Sequence, residues 1–250
     1  MVLKNNTALI TGSNRGIGFS LLEKFASEGC DIYAHSRKYN IEFEKNTRLI
    51  SDKYNVEIRH VYFDLLNSAE IKSAITTLIK TKVPIDILVN SAGIIHGGLF
   101  QMTNVQMIKD VFSVNFFGML EVTQLVSKYM IRKKAGSIIN IASVAGIDLS
   151  AGNCAYGTSK AAVIAFSKTL SSELSAYGIR VNVIAPSLTD TEMAYTNEAK
   201  KEREILSDNL EPFKRMANPE EIANSVCFLA SERSSFINGE VIRVDGGNKF

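Results

Sequence analysis

Three side chains in the stretch NIASVAGIDLSAGNCAYGTSK, residues 140–160, are of types that move a proton to or from an oxygen: Ser143, Tyr156 and Lys160. Tyr156 and Lys160 are four positions apart. On a helix they lie on one face, one turn from each other. A phenol titrates near pH ~10, too high to exchange protons readily at neutral pH, and a fixed ammonium beside it favours the phenolate. A serine hydroxyl can donate to a carbonyl oxygen while that oxygen gains charge. Together the three can protonate an alkoxide or take the proton from an alcohol. The YxxxK spacing alone also fits an ordinary helix after a Ser-rich turn, so the elements that position it must decide.

Ser143 follows the apolar run 137–142, which reads as a buried strand. The helix carrying Tyr156 and Lys160 begins near Ala155, so a strand end and a helix start converge. The same arrangement recurs along the chain. Residues 7–11 form a short apolar strand that runs into Gly12-Ser13-Asn14-Arg15-Gly16-Ile17-Gly18 and then an amphipathic helix over 17–27. Strand, glycine-rich turn and helix is how a dinucleotide site begins: glycines let the backbone approach a pyrophosphate, and the helix N-terminus offers free N–H groups. The spacing is GxxxGxG rather than GxGxxG. A second strand, 31–35, ends at Ser36-Arg37-Lys38 with no carboxylate to receive a ribose 2′-hydroxyl. Arg37, with Arg15 from the glycine turn, suits a 2′-phosphate.

The spacing predicts helices over 41–54, from Ser68 (as its cap), over 104–131 as one long helix, over 155–177 and over 220–229. It predicts further strands over 56–63, 85–89, 179–185 and 240–244. Strands that alternate with helices call for a parallel sheet covered on both faces, with the ligand crevice at the strand C-terminal ends. Gly12, Asp64, Asn90, Ser143 and Pro186 all fall at such ends. The expected architecture is one α/β domain over 1–250, a doubly wound Rossmann fold.

Composition narrows the classes. Hydrophobic residues make up 46% and charged residues 22%, ordinary for a soluble domain of 250 residues. A net charge of +2 argues for neither nucleic acid nor an anionic membrane. Cys30, Cys154 and Cys227 are widely spaced and odd in number, which fits neither a metal site nor a disulfide framework and points to a reducing, cytoplasmic compartment. No apolar run is long enough to span a bilayer, and MVLKNNTALITG reads as the first strand rather than a signal peptide.

The motifs TGSNRGIG (11–18), Asp64-Leu65, NSAG (90–93), Asn115, Ser143, YGTSK (156–160) and Pro186-Ser187 occur in the order and spacing of the short-chain dehydrogenase/reductase family. The chain resembles that family from end to end. Within it the chain is most similar to 3-oxoacyl-acyl carrier protein reductases, including the C-terminal Ile237-Asn238-Gly239-Glu240 and Asp245-Gly246-Gly247. The resemblance implies a reductase that uses NADPH. Tyr156 would be the general acid, Lys160 would hold the nicotinamide ribose, Ser143 would bind the substrate oxygen, and Asn115 would hold a water in a proton relay. Gly12, Ser13, Asn14, Arg15, Ile17, Ser36 and Arg37 would line the phosphates and adenosine. Asp64 and Leu65 would flank the adenine, Asn90, Ala92 and Gly93 the adjacent ribose, and Pro186, Thr189 and Thr191 the carboxamide side.

It also implies a homotetramer and an acyl carrier protein as partner. Two departures stand out: Ser187 replaces a glycine, and Lys134 and Tyr177 stand where carrier-binding arginines occur. Arg132, Lys133 and Lys134 would then supply a basic patch beside the crevice. Residues 188–212 would cover the substrate. Cys154 and His96 are candidate pocket-wall residues. The alternatives are an alcohol, sugar or cyclic-ketone dehydrogenase of the same family, and a cofactor-binding regulator without turnover.

Overall fold

Strands that are apolar at every position fit only a sheet covered on both faces. β1 (Thr7–Thr11) and β4 (Ile87–Asn90) are buried throughout. The computed structural model describes residues 1–196, 213 and 215–247. With β2 (Asp31–Ser36), β3 (Ile58–Tyr62), β5 (Gly136–Ile141), β6 (Ile179–Pro186) and β7 (Val241–Val244), these strands form one parallel sheet of order 3-2-1-4-5-6-7. The direction of winding reverses between β1 and β4, and that is where a crevice opens at the strand C-terminal ends.

Successive residues face opposite layers. Ala8, Ile10, Val89 and Ile139 pack under α1 (Gly16–Ser27) and α8 (Pro219–Ala230), against Leu22, Phe25, Ile222 and Val226. Leu9, Leu88 and Ile138 face the other layer, with Ile71, Val122, Val126 and Leu174. That layer comprises α3 (Ser68–Lys80), α5 (Met119–Lys133) and α7 (Cys154–Ser175). The helix α2 (Ile41–Tyr54) flanks β3. The register Thr11↔Asn90, Asn90↔Asn140 and Ile141↔Ile184 brings the ends of the central strands level.

Three local expectations are corrected. Ser68 does not cap α3: Asn67 does, its Oδ1 accepting from the N–H groups of Ala69 and Glu70 at 3.1 and 3.2 Å. An amide caps as well as a hydroxyl, each contributing about 1 kcal/mol, so the sequence offered two caps side by side. The long helix expected over 104–131 is interrupted. It consists of α4 (Val105–Phe112), a π-helical stretch Ser113–Gly118, and α5, with Asn104 as N-cap. A π turn inside an α-helix is often found at functional sites, and this one carries Asn115. Strand β3 is shorter than expected, because residues 56, 57 and 63 lie outside its ladder.

After β6 the chain leaves the sheet, and its two arms are tied together. Ala217 N–H donates to Leu188 O at 3.0 Å and Asp190 N–H to Ala217 O at 2.9 Å. Residues 197–212 of the expected cover, with the whole of the charged run 198–204, lie outside the described residues.

Candidate active site

The glycine turn is built by close approach. Gly12 has φ +69°, and a Cβ there would lie 2.8 Å from Ala92 Cα. A Cβ on Gly18 would sit 2.0 Å from Gly12 O. The turn therefore lies against the β4 end and against α1, as the GxxxGxG spacing requires. No side chain caps α1, whose N-cap is Arg15. Its first N–H groups and its positive dipole end point into the crevice, which suits an anion.

His35 holds this turn, and the sequence reading missed it. Gly12 N–H donates to His35 Nδ1 at 3.0 Å, so the ring proton is on Nε2, which donates to Phe63 O at 2.9 Å. Burial pushes the imidazole down to about 4, although the Phe63 carbonyl and the Asp64 charge pull the other way. The unfolded chain therefore takes up this proton first as pH falls. The stability tied to the neutral ring is complete above about pH 6.5 and is lost as pH falls to about 4. At ~1.4 kcal/mol per pKa unit, the loss is of order 3 kcal/mol. His35→Gln keeps an acceptor for Gly12 and a donor for Phe63. It is expected to flatten this part of the stability profile in denaturant titrations at pH 4–7. A parallel fall in both proteins would refute this role for His35.

At the other end of the crevice stand the three residues of the proton chemistry. Ser143 follows β5, is buried, and its Oγ accepts from Ala145 N–H at 3.1 Å, which leaves its own proton available to donate. Tyr156 and Lys160 lie one turn apart on α7, with Nζ 5.8 Å from the ring centroid. Lys160 is buried, donates to Ile141 O at 2.8 Å, and is pushed down to about 8 by desolvation.

The crevice encloses about 490 Å³, within the usual range for small-molecule sites. Gly12, Asn14, Arg15, Ile17, Ser36, Arg37, Asp64, Leu65, Ala92, Gly93, Ser143, Tyr156, Lys160, Pro186, Thr189 and Thr191 all line it. Three expected residues stand one layer behind. Ser13 is fully buried and its hydroxyl donates to His35 O at 3.1 Å. Asn90 donates to Thr123 Oγ1 and Asn140 Oδ1, and its own Oδ1 has no hydrogen-bond partner among the described residues. Asn115 clamps the backbone after NSAG: its Oδ1 accepts from Ile94 N–H at 2.8 Å, and its Nδ2 donates to Ile94 O and Ser159 Oγ.

Ser187 lines the crevice without a positive φ, so the turn accepts a serine unstrained. Cys154 opens α7 half-buried, His96 packs beside Gly98, and neither lines the crevice. Lys38 and Tyr39, which the sequence reading left out, do.

The basic patch is not where the sequence reading put it. Lys133 pairs with Asp86, which immediately precedes β4, and Lys134 sits just before β5. Arg180, at the start of β6, donates to Leu229 O and Ser231 O. All of these lie at the N-terminal ends of the strands, the end opposite the crevice. The reason is topological: α5 leaves a crevice end and must run back before β5 can begin.

A parallel sheet wound in this order, an uncapped helix N-terminus facing a Cβ-free turn, and Ser, Tyr and Lys at the strand ends define an oxidoreductase of the dinucleotide-dependent kind. A family model described as enoyl-(acyl carrier protein) reductase matches residues 12–249, and the chain belongs to the short-chain dehydrogenase/reductase family. It is an enzyme of that family, acting at a carbonyl or the matching CH–OH group. It is similar to a 3-oxoacyl-acyl-carrier-protein reductase of Aquifex aeolicus, with 37% identity over 98% of each chain. The corresponding reductase of Escherichia coli is 32% identical over 99% of this chain and 98% of its own. Among solved structures, levodione reductase superposes with a TM-score of 0.89 at 26% identity over 98% of each chain. Among the described residues, no helix is long and apolar enough to cross a membrane.

Proposed function

We propose that the chain uses NADPH to reduce a 3-oxoacyl thioester, or a related small 3-oxo compound, to the hydroxy compound. The observation that carries this reading is the convergence of Ser143, Tyr156 and Lys160 at one end of a crevice whose other end holds Arg15, Arg37 and Lys38. The groups present fit a phosphorylated dinucleotide: the bare turn and uncapped α1 suit the pyrophosphate, and the guanidiniums suit the 2′-phosphate. When bound, the nicotinamide supplies the hydride.

The rest is the work of this chain. Ser143 donates to the substrate oxygen and fixes its position. Tyr156 gives that oxygen its proton. Lys160 stabilises the phenolate left behind and holds the ribose. A Cβ on Gly93 would lie 3.2 Å from Asn115 Oδ1 and 3.5 Å from Lys160 Nζ. The bare glycine thus keeps open a space between the two, and this is where a relay would pass a proton to Lys160. Residues 188–196 would serve as the start of a substrate cover.

The chain is further proposed to be a cytoplasmic homotetramer, the compartment in keeping with its free cysteines and the assembly with the family resemblance. Exposed Val105 and Phe117 on the α4–α5 face, and fully exposed Phe236 before β7, offer apolar area for two interfaces. If α5 and α7 pair antiparallel across a two-fold axis, the basic end of one protomer comes to the crevice rim of its partner. Only in that arrangement does Arg132–Lys134 serve an acidic carrier.

Among the described residues, the lining cations, Arg15, Arg37, Lys38 and Lys160, all belong to the cofactor side or the catalytic group, which favours small uncharged ketones as a second substrate class. The test is NADPH consumption with acetoacetyl thioesters, carrier-linked and free, and a cyclic diketone, at low and high salt, alongside the solution mass. The expected result is turnover of the free thioester, salt-sensitive turnover of the carrier-linked one, and a tetrameric mass. Turnover of the cyclic ketone with none on either thioester overturns the first reading, and a monomeric mass at micromolar concentration overturns the tetramer.

A further inference from the structure

The Ser143 hydroxyl is only as well placed as the turn that follows it. That turn, α6 (Ala145–Asp148), is four residues long, too short to hold itself by helix formation. It is bounded by Ser143, whose Oγ accepts from Ala145 N–H, and by Leu149, which takes a left-handed φ of +49°. On its inner side Gly146 lies against the α7 backbone: a Cβ there would sit 2.7 Å from Lys160 C and 2.8 Å from Ala161 N. Beyond it, Gly98 N–H donates to Gly152 O at 2.7 Å, stitching the two loops that face the substrate side.

What anchors the open end of this turn comes from the far end of the chain. Asp148 receives both arms of the Arg243 guanidinium, Nη1 to Oδ1 at 2.8 Å and Nη2 to Oδ2 at 2.9 Å. Arg243 is on β7, and its Nε donates to Asp245 Oδ2 at 2.7 Å. Asp245 is nearly buried, and its Oδ1 accepts from Gly247 N–H at 3.1 Å in the turn that ends the sheet. A bidentate, fork-to-fork pair fixes orientation as well as distance. Its partial burial exempts it from most of the solvent screening that makes surface pairs weak.

We propose that Arg243, held by Asp245, is a positioning residue for the active site. It grips Asp148 and so sets the turn that carries Ser143 at one end and the substrate wall at the other. Neither Arg243 nor Asp148 lines the crevice. The effect therefore passes through the turn. This rests on the proposed role of Ser143 at the substrate oxygen.

The test uses Arg243→Gln, Asp148→Asn, the double variant and Arg243→Lys in the full-length enzyme, reading kcat, substrate KM, NADPH Kd and Tm. Each of the first two is expected to lower kcat ten- to a hundredfold and raise substrate KM, with NADPH Kd within twofold of the parent. The double variant should be no worse than Arg243→Gln alone, because the Asp148 contact is already lost there, along with the one to Asp245. Lysine keeps the charge but not the fork, so Arg243→Lys should fall between. A folded Arg243→Gln with kcat within twofold of the parent overturns the proposal, as do additive losses or an equal loss of NADPH binding. If Arg243→Gln does not fold, the near-isosteric Asp148→Asn decides on the same readings. Ser143→Ala separates the two levels. Full activity there removes the reading of the serine, whereas an inactive Ser143→Ala beside normal Arg243 and Asp148 variants removes only the clamp.

Discussion

Tyr156→Phe is expected to abolish nearly all turnover while leaving NADPH binding close to that of the parent. The phenol is the proposed proton donor, and a general acid contributes ~10²–10⁴-fold to rate. Its loss leaves hydride transfer without an acid at the one place where the oxygen is held. Lys160→Met should damage both turnover and cofactor binding. Its ammonium is buried, hydrogen-bonded to the Ile141 carbonyl and 5.8 Å from the Tyr156 ring, and the proposed mechanism also has it hold the ribose. The measurement is single-turnover NADPH oxidation beside a fluorescence titration of cofactor. Retention of more than about a tenth of the parent rate in Tyr156→Phe would assign the acid elsewhere, given the size of such contributions.

The second large effect is on cofactor choice. The parent protein is expected to prefer NADPH to NADH, and Arg37→Asp to reverse that preference. A charge-assisted hydrogen bond contributes ~1.5–3 kcal/mol, roughly ten- to a hundredfold in affinity. An aspartate would repel the 2′-phosphate and accept from a 2′-hydroxyl instead. Arg15, at the same end of the crevice, is shared with Glu192 on the opposite arm, 3.4 Å away, with both side chains largely exposed. Arg37 is therefore the more informative site. Equal affinity of the parent for NADPH and NADH, by titration, would refute the assignment.

The sheet and the ligand end of the molecule were legible because a parallel sheet buried on both faces leaves continuous apolar runs, and each run ends at a small or polar residue. Gly12, Ser143 and Pro186 mark three such ends, and all three line one crevice. The residues missed were those whose partners lie far away in sequence. Asp148 and Arg243 are 95 positions apart, and no local pattern links them. His35 sits in a strand like any buried residue, and only the fold brings its ring to the Gly12 N–H. The misplaced basic patch has a different cause. Arg132–Lys134 close a helix that starts at the crevice, and a helix of 15 residues ends across the sheet from where it began. The alternation of strands and helices already implied that direction. Asn115 stands out in the sequence only through the family resemblance, and from the π-helical stretch its side chain bonds Ile94 and Ser159 rather than lining the cavity.

The bonds between Ala217 and the pair Leu188 and Asp190 bear on how such a chain can diversify. They close the excursion after β6 at its neck, on the substrate side of a crevice whose chemistry is fixed by other elements. The entropy of a closed loop grows only with the logarithm of its length, about 0.6 kcal/mol for each doubling. Insertions or deletions beyond the neck therefore cost the fold little and leave Ser143, Tyr156 and Lys160 where they are. Changes in that segment can alter what the crevice accepts while Ser143, Tyr156 and Lys160 are kept, and a graft there would have to retain Thr189, Thr191 and Ala194, which line the crevice.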